Sequence, residues 1–306
     1  MQEVAIFIIL IVLCLIIGLI NPSFFGIANV MDLFRTASYT VICASAATFV
    51  FIMGGLDLSV GSMMGLCGMT AALLLQAGVP VFLSILIGLV PGFLFGVFNG
   101  FAIVKLKIPA MIVTLSTLYI AKGLVNVVTM GKPVFPLPDA FNQIGNGSFM
   151  RVPYTAFLMI AVAVIASLVL KYTNYGRYVY AIGGNCETAR LSGINVDFIQ
   201  IVVYAVCGTF AGLSGIMITS FVGSAQVATG TGKELDIIAA VIIGGTSTFG
   251  GSGTIGGTVI GAFIMVVITN GLILARVSSF WQYVVIGIII ITTVGIDQHR
   301  RNSKKA

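Results

Sequence analysis

Between Val4 and Ile296 the chain is a succession of apolar blocks, nearly all 17 to 25 residues long, separated by short polar joints. That length lets an α-helix rising 1.5 Å per residue cross a hydrocarbon core of about 30 Å, and a helix satisfies its own backbone inside lipid. The mean hydropathy of +1.14 and the 8% of charged residues fit that reading, since a soluble domain carries about 25% charge. The expectation is an all-α integral membrane protein, one transmembrane domain over residues 1–306.

The blocks run Val4–Ile20, Thr36–Met53, Val60–Gln76, Val81–Val104, Met111–Met130 and Tyr154–Leu170, then Phe198–Val222, Ile237–Phe249, Ile255–Ala275 and Phe280–Ile296. Residues 237–249 number only 13 and would rise about 20 Å as a helix, so this block reads as short, broken or re-entrant. If it crosses, extended back through Lys233–Asp236, there are ten transmembrane helices. Both termini then share a side with the loop at 171–197 and the basic tail at 297–306. Nine basic residues fall on that side and five on the other, with Lys122 inside a span. Positive charge marks the cytoplasmic side, so loop and termini are expected there. The first block has no basic lead and no small-residue cleavage site, and reads as a membrane anchor. Cys14, Cys43, Cys67, Cys186 and Cys207 show no paired spacing and suggest neither a disulfide framework nor a metal site.

The loop at 171–197 is the longest well-charged interval between apolar blocks. Within it Asn185 can cap a first turn, Glu187 suits the positive end of a short helix, Arg190 suits the negative end, and Gly193 can take a left-handed stop. A short exposed helix on a membrane protein is suited to being gripped by a partner. Leu191 and Ser192 complete the candidate docking set.

Two glycine-rich joints resemble each other. Gly54–Ser62 (GGLDLSVGS) and Gly244–Ser252 (GGTSTFGGS) share a GG-x5-GS frame 190 residues apart, a weak sign of a parallel internal repeat. In the first, Asp57 and Ser59 read as caps for the helix starting near Val60, with Ser62 just inside it. Glycine-broken backbone at membrane depth is tolerated where it packs in protein or lines a cavity, so the joint also reads as bordering a transport path. Asn99, Asn126 and Asn270, polar residues near span interiors, either line that path or bond between helices. Lys122 snorkels, meets a carbonyl or faces the path. The GxxxG pairs, such as Gly92/Gly96 and Gly208/Gly212, speak for close helix packing.

Catalysis has little to stand on. His299, the single histidine, lies in the tail, and there is no Ser/His/Asp set, HExxH or carboxylate cluster. Gly251–Gly256 matches GxGxxG formally but precedes a membrane block with no acid about 20 residues on, and Gly230–Glu234 is not a phosphate loop. The net charge of +6 is scattered between apolar blocks, which argues against nucleic acid.

GGLDLSVGS, then residues 99–123 (NGFAIVKLKIPAMIVTLSTLYIAKG), 175–196 (YGRYVYAIGGNCETARLSGINV), 230–262 and Asn270–Gly271 resemble the permease subunits of bacterial ABC sugar importers. The resemblance is nearest to the ribose permease group, with its arabinose, xylose, galactofuranose and autoinducer-2 members, and runs in order from about residue 21 to 296. Leu56 stands where the family usually has isoleucine, and Cys186 where it more often has a small or acidic residue. The resemblance implies a cell-membrane permease that pairs with a second copy, identical or related, and works with a cytoplasmic ATPase and an extracytoplasmic sugar-binding protein. It implies that residues 183–194 are the coupling helix, that transport proceeds by alternating access, and that the chain is not catalytic. ATP and magnesium would be used by the ATPase, with no cofactor on this chain. An ion-coupled secondary transporter would need titratable acids inside the membrane, and Asp57 and Asp236 are expected at span ends.

Overall fold

The computed structural model describes residues 2–303, and the side chains of the basic tail lie outside what is described. The chain is a helical bundle: α1 Gln2–Ile20, α2 Ile27–Ile52, α3 Val60–Gln76, α4 Val81–Lys105, α5 Ala110–Thr129, α6 Asp139–Asn146, α7 Tyr154–Tyr172, α8 Asn174–Gly184, α9 Cys186–Leu191, α10 Val196–Val222, α11 Lys233–Ile243, α12 Ile255–Leu274 and α13 Ser279–Ser303. A small hairpin, β1 Ser148–Phe149 with β2 Val152–Pro153, leads into α7. Among the described residues, seven helices are long and apolar enough to cross a membrane, namely α1, α2, α4, α5, α7, α10 and α12. With α3, α11 and α13 they account for the ten expected blocks.

α10 runs through the middle and packs on α4, α3 and α2. Lipid tails are as apolar as leucine, so helices here associate by close backbone approach and interhelical hydrogen bonds. The glycine pairs supply the approach. A Cβ on Gly92 would lie 2.4 Å from the carbonyl oxygen of Gly208, and one on Gly208 would lie 2.2 Å from that of Gly92. α11 meets α12 in the same way, with Gly257 against the Gly244 carbonyl and Gly261 against that of Ala240. Among the hydrogen bonds, Thr48 and Thr258 join α2 to α12 at 2.7 Å. α1, α4 and α7 turn large apolar side chains such as Phe7, Phe93 and Ile165 outward, as a lipid-facing surface requires.

Several boundaries differ from the sequence expectation. α2 begins at Ile27, nine residues early, and takes in Asp32 and Arg35, which pair with each other at 2.8 Å. α11 does extend back to Lys233 but stops at Ile243, six residues before Phe249. Its charged first turn is accommodated because Lys233 and Asp236, three residues apart on one face, form an ion pair of 2.7 Å.

The segment 224–232 between α10 and α11 does not stay at the end of the bundle. Ala225 pairs with Val134 at the α10 terminus, while Thr229 and Gly230 reach Gly65 and Gly61 of α3, where added Cβ atoms would lie 2.7 and 2.5 Å from their carbonyl oxygens. Carrying the α11–α12 register back from Ala240 opposite Gly261 puts Lys233 about 10 Å below the far end of α12. The short block is thus a re-entrant strand of chain followed by a half-length helix.

Candidate functional site

The exposed loop carries two helices where the sequence suggested one. α8 is capped by Thr173, whose hydroxyl accepts from the Gly176 N–H at 3.2 Å, and buries Val179 and Ile182. Asn185 then ends α8 and starts α9: its N–H donates to the Ala181 carbonyl at 3.0 Å, and its side chain accepts from the Thr188 N–H at 3.0 Å. Glu187 and Arg190 occupy the first and last turns of α9, each opposite in sign to the helix end beside it. The Ser192 hydroxyl donates to the Thr188 carbonyl at 2.9 Å, and Gly193 closes the helix at φ +83° with its N–H on the Arg190 carbonyl. Leu191 is 88% exposed at the tip. Asp197 holds the loop to the bundle, accepting from Lys105 at 2.7 Å and Arg190 at 2.9 Å.

α8 connects this loop to both glycine-rich breaks. A Cβ on Gly183 would fall 1.7 Å from the Ile52 carbonyl oxygen, at the end of α2, and 2.7 Å from the Gly251 nitrogen. The Gly251 N–H donates to that same Ile52 carbonyl at 2.8 Å, and the Tyr180 hydroxyl donates to the Gly253 carbonyl at 2.6 Å. Three pieces of backbone therefore meet at one junction with no side chain between them.

The two breaks close their preceding helices alike. Gly54 and Gly55 bond back to Phe51 and Val50, and Gly245 and Thr246 bond back to Ile242 and Val241, with Gly54 at φ +77° and Gly245 at φ +86°. Gly54 corresponds structurally to Gly245, one residue out of step with the GG frame in the sequence, and the second break is longer before its next helix. In the first break, Asp57 is 4% exposed, so it lies inside the bundle and not at a water-facing span end. Its Oδ1 accepts from the Ser59 N–H at 2.8 Å and the Ser59 hydroxyl at 2.6 Å, and Asn99 of α4 donates to Ser59 at 3.1 Å. Ser59 occupies the cap position of α3 without a side-chain capping bond, because its hydroxyl is committed to Asp57.

The structure thus brings Asp57, Ser59 and Asn99 together, with Ser62 buried one turn along. Asn126 lies apart on the exposed side of α5, donating to the Lys122 carbonyl at 2.8 Å. Asn270 forms a reciprocal amide pair with Asn29 of α2, at 2.8 and 3.2 Å, and ties α12 to α2.

A family profile described as branched-chain amino acid transport system / permease component matches residues 29–294. The chain belongs to that family. The permease is 40% identical to the ribose import permease protein of Haemophilus influenzae over 97% of its own length and 94% of the relative's. It is 39% identical to the ribose import permease protein of Bacillus subtilis, over 98% and 94%. The autoinducer 2 import system permease protein of Photorhabdus laumondii is 34% identical over 95% and 88%. No solved structure gives a significant match.

Sequence reasoning missed Tyr180, Gly183 and Gly251, which join the permease's exposed loop to its breaks. The signal for α8 was present: Tyr175, Val179 and Ile182 repeat at helical spacing behind Thr173.

Proposed function

We propose that this chain is the membrane-spanning permease subunit of an ATP-driven importer for a monosaccharide such as ribose, working by alternating access. The observation that carries the reading is an exposed, doubly capped α9, with Leu191 bare at its tip, on a chain whose relatives along nearly the whole length are ribose import permeases. An uncovered leucine next to Arg190 and one turn on from Glu187 fits a partner's groove: apolar burial supplies affinity and the charges fix orientation. In this reading the partner is a cytoplasmic ATPase, the α9 end of the bundle faces the cytoplasm, and a second permease completes the path. A sugar-binding protein delivers solute at the opposite end.

Movement imposed on α9 passes to α8 through Asn185, which caps both, and from α8 to the breaks through the Gly183 contact and the Tyr180 bond. The Gly183–Gly251 contact and the Tyr180 bond leave no side chain to absorb displacement, so the second break, at the end of α11, has to follow the lever. The chain itself supplies path and lever, while ATP hydrolysis belongs to its partner.

Buried Asp57 favours one competing reading, an ion-coupled carrier, because such carriers use acids inside the membrane. Reconstitution decides between them. Proteoliposomes holding permease, ATPase and binding protein are expected to take up D-ribose only with ATP. Uptake by the permease alone, driven by a proton or sodium gradient, would overturn the importer.

A further inference from the structure

Four charged side chains converge below the surface of the bundle where the re-entrant segment joins α11. Lys233 and Asp236 neutralise each other at 2.7 Å. Glu234 and Lys122 are left over. The Glu234 carboxylate lies against α3, its Oε2 only 2.1 Å from where a Cβ on Gly61 would stand, and that oxygen is buried without a hydrogen-bond partner. Lys122, from the middle of α5, acts on Glu234 by its charge, yet it makes no ion pair within 4.0 Å among the described residues.

Charges at this depth are costly facing lipid and are kept where they face the bundle interior or a water-filled cavity. A water-accessible hollow lies on the same segment. A cavity of about 670 Å³, lined by Phe135, Pro136, Ser224, Gln226 and Val227, opens at the bundle end away from α9. Its size falls in the range of about 300–1,000 Å³ usual for small-molecule clefts. Ser224, Gln226, Val227 and Ala228 line this mouth, and 229–234 continue from it down to Gly65, Gly61 and the charged cluster.

We infer that Glu234 and Lys122 form a binding station for a neutral polyhydroxyl solute, partway along a path entered through the cavity between Phe135 and Gln226. The inference rests on the transporter reading above and deepens it. Neighbouring hydroxyls on a polyol each donate and accept, so one donates to Glu234 Oε2 while the next accepts from the Lys122 ammonium. The two cations and two anions of the cluster sum to zero, which suits a neutral solute better than an ion. Gly61 and Gly65 let the segment lie against α3 without side chains in between, which holds Glu234 at its depth in the bundle.

The test uses the assembled transporter in proteoliposomes with D-ribose as probe. Glu234→Gln and Lys122→Gln are each expected to lower uptake by about tenfold or more, the worth of a charge-assisted hydrogen bond, while binding-protein-stimulated ATP hydrolysis stays at the wild-type level. Wild-type uptake in both variants overturns the station, as does a parallel fall of uptake and hydrolysis, which would mark a structural role. A second arm does not depend on transport. With Cys186→Ser as background, so that α9 carries no reactive thiol, Thr231→Cys, exposed on the re-entrant segment, is expected to react with a charged, membrane-impermeant methanethiosulfonate. Reaction with a lipid-soluble maleimide alone would place this face against lipid and overturn the path. Wild-type protein that takes up no ribose would count against the importer reading, and Thr231 labelling would still decide whether water reaches the segment.

Discussion

The two breaks end their helices with the same backbone turn but are held in different ways. The first is sealed by side chains: Asp57 gathers both donors of Ser59, Asn99 anchors Ser59 from α4, and the Tyr204 hydroxyl donates to the Leu56 carbonyl at 3.3 Å. The second is held by backbone and by the lever. Gly250 and Gly251 lie against Gly54 and Gly183, and Tyr180 grips Gly253. Unpartnered buried oxygens occur in both breaks, Thr246 Oγ1 here and Asp57 Oδ2 in the first. A network of buried polar side chains rigidifies its surroundings, whereas backbone contacts between glycines leave pieces free to shift once the element pressing on them moves. The first break is therefore the fixed point, and the second is the part that travels with α8 and α9.

The strongest way to break this contrast is at the contact that both breaks share. Gly183→Ala puts a methyl into the Ile52 carbonyl oxygen, and overpacking of this kind costs about 1–3 kcal/mol. Uptake is expected to fall at least about tenfold while the protein still inserts, as read by transport and by membrane-fraction yield. Normal uptake would mean that α8 does not press on the breaks during the cycle.

Next in size is the seal of the first break. Asp57→Leu strands the Ser59 N–H and hydroxyl, and the expected loss is about 1–3 kcal/mol, measured by thermal unfolding in detergent. Asp57→Asn keeps an acceptor for Ser59 and should recover most of it.

Tyr180→Phe removes one hydroxyl-to-carbonyl bond between lever and second break, worth about 1 kcal/mol. Stability should fall by no more than that bond is worth, while sugar transported per ATP hydrolysed drops by a larger factor. Equal loss in stability and transport would make Tyr180 a packing residue. Smallest of all is Thr246→Val: its hydroxyl is buried and unpartnered, so the substitution is expected to be neutral or stabilising by up to about 1 kcal/mol. A large loss would reveal a partner and bring the second break closer in kind to the first.

What could be read from the sequence follows how local each device is. α9 was legible because its caps, Asn185 and Gly193, are neighbours in the chain, and the first break because Gly54, Gly55 and Asp57 are consecutive or nearly so. α8 was hidden because Arg177 and its tyrosines dilute an apolar stripe that three residues carry. The start of α11 at Lys233 was legible as an extension of the short block, and the Lys233–Asp236 pair shows why its charges are accommodated, but the stop at Ile243 was hidden because Gly244–Phe249 carries no charged or proline break that hydropathy registers. The fit of Gly61 to Gly230, the meeting of Gly183 with Ile52 and Gly251, and the Asn29–Asn270 pair join residues far apart in the chain, and no window of sequence contains them. The two helix ends share a turn, but aligned one residue off the GG frame, because the turn is defined by the left-handed glycine and not by the first of the two.

The most direct measurement of whether the second break moves with the lever is a pair of spin-label distances in the assembled transporter with and without ATP. Cys186 is native, exposed and unpaired, and labels α9; Ser252→Cys labels the second break and Leu58→Cys the first. The account predicts that the distance from Cys186 to residue 252 stays constant on ATP binding while the distance from Cys186 to residue 58 changes. A constant distance to residue 58, with residue 252 shifting against α9, would contradict it.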